Sequence, residues 1–103
     1  MNSRVSNLYI GNPNENATDQ RLAVQTSVVS FSDFHADTDY VVLDIQDANV
    51  MVTFDGSNPS SSNGHMLVKE QGLIAMSVVA GKAMKLIRED ATDAAVHLTE
   101  FVD

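Results

Sequence analysis

The chain reads as an all-β domain, a small antiparallel β-sandwich of jelly-roll-like type with about seven or eight short strands. Three observations lead there. Apolar and polar residues alternate along runs such as YVVLDIQ and VMVTF, the period of a strand with one buried face. β-Branched residues are frequent in those runs. Turn-forming clusters (GNPNENATDQ, SDFHADTD, DAN, KEQG, EDATD) recur roughly every eight to twelve residues, the spacing of short antiparallel strands. The 103 residues suit one domain, and a hydrophobic content of 44% supports a folded core. With 6% aromatics and no Trp, that core must be built from Val, Leu, Ile, Met and Ala.

Taken in order, residues 1–20 form a polar N-terminal arm with a brief strand at NLYI, and 21–103 form the β-sandwich domain. RLAVQTSVVSF is a strand with Leu22, Val24, Thr26 and Val28 on one side. SDFHADTD is an acidic loop. YVVLDIQ places Val41, Leu43 and Ile45 on one face. The DAN turn then joins it, as a hairpin, to VMVTF, where Val50, Val52 and Phe54 share a face. The long loop DGSNPSSSNGH follows, then MLV and the KEQG turn. LIAMSVVA reads as a strand buried on both faces, and Gly81-Lys82 as a turn. AMKLIR and AAVHLTEFV complete the set, the latter with Val96 and Leu98 opposite His97, Thr99 and Phe101. The rival reading is a helix across Lys82–Leu98, carried by Ala83, Leu86, Ile87, Ala91, Ala94 and Ala95.

Fourteen acidic residues against six basic ones give a net charge of -8. Such a surface repels phosphate backbones, so nucleic acid is not an expected partner, whereas a basic patch on a protein is. The absence of Cys excludes disulfides, thiolate metal sites and a Cys nucleophile. MNSRVSNLYIGN holds no apolar run suited to a signal peptide, and GLIAMSVVAG is too short to cross a bilayer, so no membrane association is expected.

The loop Asp55–His65 is the first candidate site. A phosphate-binding loop requires Lys and Ser or Thr after its glycines, but Gly64 is followed by His65 and Met66. A calcium loop requires alternating acids and a terminal Glu, which this stretch lacks. It reads as a long connection between strands. Asp33, His35, Asp37 and Asp39 alternate and share a face of an extended chain, a pattern able to hold a cation, with Asp33, His35 and Asp37 as the candidate set. On so acidic a chain a solvated loop is the preferred reading, and no metal is assigned. His35, His65 and His97 are the only histidines, and no nucleophile elbow accompanies them. No catalytic residue and no cofactor is assigned, and the chain is not expected to be an enzyme. Met51, Met66, Met76 and Met84 read as core gap-fillers, with an adaptable contact surface as the other reading.

The second half of the chain carries a resemblance. VMVTFDGSNPSSSNGHML followed by AMKLIREDATDAAVHLTEF is similar in layout to small virion proteins of tailed bacteriophages. There, a strand ending in TFDGS.P leads through a Ser/Thr/Asn loop to GH.L, with a later A.K.IR strand, an ATDA turn and a VH.TEF strand. The resemblance spans roughly residues 40–102. It implies a non-enzymatic structural part of a phage particle, first a capsid decoration or cement protein. The alternatives are a head–tail or fibre-attachment part, or a receptor- or carbohydrate-binding module. The implied partners are the major capsid protein or another virion protein and further copies of the chain, with a trimer favoured. The implied location is the virion, after synthesis in the host cytoplasm. Contact is expected through Tyr9, Ile10 and Asn12 of the arm and Asn58, Ser60, Ser61 and Asn63 of the loop.

Overall fold

A computed structural model describes residues 11–103. Among them are strands β1 (Asn12–Pro13), β2 (Gln20–Val24), β3 (Tyr40–Gln46), β4 (Val50–Thr53), β5 (His65–Leu67), β6 (Ile74–Ser77), β7 (Lys85–Arg88) and β8 (Ala94–Val102), with one short helix, α1 (Val78–Ala83). All pairings are antiparallel. One sheet runs β1-β8-β3-β6, with β2 also on β8, and the other runs β5-β4-β7. Beyond Val24 the β2 chain bends across to the second sheet, where Val29 exchanges both backbone hydrogen bonds with Leu86 of β7, at 2.9 and 2.8 Å. The segment after β2 therefore touches the second sheet at Val29, while β2 itself stays paired with β8 in the first. The expected all-β sandwich is the observed fold.

Alternation builds its core. Val41, Leu43 and Ile45 of β3, Val50 and Val52 of β4, Leu86 of β7, and Val96 and Leu98 of β8 meet between the sheets, each almost wholly buried. Each side chain of this size contributes about 1.5–3 kcal/mol by leaving water. Met84 fills the remaining space. The outward residues of β3 and β8 include Tyr40 and Phe101, whose rings stack at 5.2 Å.

Three expectations and one rival reading are corrected. First, β3 and β4 do not form a hairpin: β3 pairs with β6 and β8, and β4 with β5 and β7. A tight two-residue hairpin turn of the type I′ kind needs positive φ at two consecutive residues. Within DAN only Asp47 has it, at φ 72. The turn carries the chain from one sheet to the other, so that two apolar faces meet across the core. Second, LIAMSVVA is not one doubly buried strand. Ile74–Ser77 is an edge strand with Ala75 and Ser77 exposed, and the chain becomes helical at Val78. The Ser77 hydroxyl accepts the Ala80 N–H at 3.2 Å, capping α1. Gly81 and Lys82 lie in that helix, and Lys82 in its last turn suits the helix dipole. Third, no helix covers Lys82–Leu98: β7 and β8 occupy that span, and the one described helix ends at Ala83. Fourth, the strand of the RLAVQTSVVSF run ends at Val24, and Val28 is exposed while Val29 turns inward to β7.

The described part of the arm is laid against the first sheet. Asn12 pairs with Val102 and Pro13 with Phe101. The Gly11 N–H donates to the Tyr40 hydroxyl at 2.8 Å. Asn14, Thr38 and Glu100, all buried, form a polar clasp: Asn14 Nδ2 donates to Thr38 Oγ1 at 3.0 Å, and Thr38 donates to Glu100 Oε1. The same carboxylate oxygen accepts the His35 backbone N–H at 2.9 Å. A buried carboxylate costs stability unless its oxygens are hydrogen-bonded, and this one is. Tyr9, Ile10 and the NLYI strand lie outside the described residues.

Candidate functional site

The connection from β4 to β5 is where side-chain chemistry concentrates. Strand β4 ends at Thr53, and the chain turns through Gly56 at φ 88. Asp55 Oδ1 accepts both the Ser57 hydroxyl at 2.6 Å and the Ser57 backbone N–H at 3.0 Å. These two bonds, the hydroxyl's first, hold the Asp55 carboxyl below its ordinary value of 3.8, with a smaller contribution from the Lys85 charge. The Thr53 hydroxyl donates to the Ser57 carbonyl at 2.6 Å. From the returning side, Asn63 Nδ2 donates to Ser57 Oγ at 3.2 Å and to the Asn58 carbonyl at 2.8 Å. Ser60 and Asn63 exchange backbone hydrogen bonds, and Lys85 reaches from β7 to donate to the Gly56 carbonyl at 2.8 Å. Pro59 is buried. A segment composed like a flexible linker is thus knitted into one shape by its own Ser, Asn and Asp side chains.

Gly64 closes the loop at φ 121, and a Cβ there would lie 2.5 Å from the Val52 carbonyl oxygen. Only glycine lets the chain return this close to β4. The return opens a cleft of about 380 Å³ lined by Thr53, Phe54, Asp55, Asn63, Gly64 and His65. Phe54 is 39% exposed, and its ring centroid is 6.4 Å from that of His65. One oxygen of Asp55 is committed to Ser57. Its other oxygen, and the side-chain oxygen of Asn63, accept no hydrogen bond from the described residues.

The expected contact residues divide between the sheets. Asn58, Ser60, Ser61 and Asn63 all belong to the knitted loop, with Ser61 exposed and Asn63 holding the loop together. Asn12 is exposed on β1, at the edge of the other sheet. The acidic loop is a separate region. His35 Nδ1 accepts the Asp37 N–H at 3.1 Å, and Asp33 and His35 line a second cleft of about 380 Å³ with residues 16–20. Among the described residues no three His, Asp or Glu side chains are grouped to hold a metal. The three histidines lie in different elements: His35 before β3, His65 on β5, and His97 on β8, where its Nε2 is 3.1 Å from Asp19 Oδ2. Of the methionines, Met84 is in the core, whereas Met66 is 50% exposed beside Met51 on the outer face of the second sheet.

One feature escapes a reading of the sequence alone, and a second leaves a single sign in it. Phe54 shares the period of Val50 and Val52 yet lies outside the core, because Asp55-Gly56 ends the strand before it. Glu100 shares the period of Val96 and Leu98, and that parity was a readable sign of a buried carboxylate needing partners. No protein-family model matches the chain, and no curated protein or solved structure is significantly similar to it.

Proposed function

We propose that the chain is a non-enzymatic structural protein of a tailed-phage particle, a capsid decoration protein that binds the major capsid shell. The observation that carries this reading is the β4–β5 loop. It presents Asn58, Ser60 and Ser61 at the surface in a shape already fixed by internal hydrogen bonds. A contact surface ordered in advance loses little conformational entropy when it docks. The loop also falls within the stretch that resembles phage virion proteins. The net charge of -8 favours a partner with basic patches and raises the rate of encounter with it. Copies repeated on a lattice, or joined as a trimer, add weak contacts into firm attachment.

Quantitative mass spectrometry of purified particles of the source phage tests this. The proposal expects the chain at a copy number in fixed proportion to the major capsid protein. Particles lacking the chain, or carrying only a handful of copies, would overturn the shell-wide role. A handful of copies would move the protein to a vertex or the tail.

A further inference from the structure

Resting on that decoration reading, we propose that the Phe54–His65 cleft receives an arginine side chain of the shell partner. The ungated acceptors around the cleft are the second oxygen of Asp55 and the Asn63 side-chain oxygen, while both Asn63 Nδ2 bonds are spent within the loop. A site rich in acceptors selects a ligand rich in donors, and guanidinium offers five in a rigid plane. The exposed Phe54 ring supplies a face on which that plane stacks. Ser57 holds one oxygen of Asp55 by two hydrogen bonds and draws the carboxyl below its ordinary value, which favours the anion and leaves the second oxygen for a donor. The net charge of -8 draws cations toward the surface and turns anionic groups away. One group opposes the arrangement: Lys85, anchored on the Gly56 carbonyl, places a positive charge, like that of the guanidinium, near Asp55.

The test is a titration of the full chain, followed by backbone amide chemical shifts. The probes are N-acetyl-arginine methylamide, the lysine and glutamate analogues, and methyl glucoside. The arginine probe is expected to move Gly56, Ser57, Gly64 and His65, with the lysine probe weaker and the glutamate probe silent. Asp55→Asn keeps the oxygen that Ser57 needs and removes the charge, so it should weaken arginine binding about three- to tenfold. Phe54→Leu should weaken it about two- to fivefold. Lys85→Met should tighten it about twofold. Equal response of wild type and Asp55→Asn, or movement of the same amides by the glucoside rather than by arginine, would overturn the proposal. Shell binding separates this inference from the reading beneath it. If Asp55→Asn binds shells as wild type does, the cleft is not the contact, yet decoration stands. If wild type binds arginine but never a shell, decoration falls.

Discussion

Two glycines of one loop should respond very differently to the same substitution. Gly56 and Gly64 both have positive φ, 88 and 121. An alanine at Gly56 meets nothing within 4 Å, so Gly56→Ala carries only the backbone cost, about 1 kcal/mol. An alanine at Gly64 meets the Val52 carbonyl oxygen at 2.5 Å and the Thr53 methyl at 3.2 Å. The first neighbour is backbone of β4 and cannot swing aside, so β4 or the loop must move. Strain of roughly 1–3 kcal/mol then adds to a packing cost of similar size, for a total of about 2–5 kcal/mol. In a domain of this size that lowers Tm on the order of 10–30 °C, against about 5 °C for Gly56→Ala. Urea unfolding followed by far-ultraviolet circular dichroism measures both, since the chain has no Trp to report by fluorescence. Equal losses for the two variants would refute the claim that the loop returns against β4 at Gly64.

Three further outcomes follow from the same structure. Thr38→Val removes the hydroxyl that donates to Glu100 and accepts from Asn14, and should cost about 2–3 kcal/mol in urea unfolding because two buried groups lose a partner. Ser77→Ala removes the cap of α1 and should cost about 1 kcal/mol, with hydrogen exchange quickening first at Ala80. The Asp55 carboxyl, titrated by carbon-13 shifts, should show a midpoint below 3.8. Because its folded value is depressed, its contribution to stability is present above pH 3.8 and is lost as pH falls through the lowered midpoint, a loss that Asp55→Asn should not show.

How much of this was legible depended on whether the deciding interaction was local. Strands β3 and β8 could be read directly, since Val41, Leu43 and Ile45, and Val96 and Leu98, repeat at the period of a strand. The fate of DAN could not, because composition suits a hairpin and a crossover equally, and what separates them is that Ala48 does not share the positive φ of Asp47. LIAMSVVA looked uniform because its apolar run hides a helix cap at Ser77. The turns at Asp55-Gly56 and Asn63-Gly64 were readable as turns. The cleft between them was not, since Phe54 and Asp55 meet Asn63 and His65 only once the loop has closed. The Asn14–Thr38–Glu100 clasp joins residues far apart in the chain, and only the parity of Glu100 announced it.

The most direct test of the account is binding of the purified chain to isolated shells of the source phage, compared with Ser61→Arg. Ser61 is exposed at the loop tip and its side chain makes no hydrogen bond within the loop, so the variant keeps the fold while changing the contact surface. The account predicts that wild type saturates the shell in fixed proportion to the major capsid protein and that Ser61→Arg binds far more weakly. A wild-type chain that does not bind, or a variant that binds equally well, would contradict it.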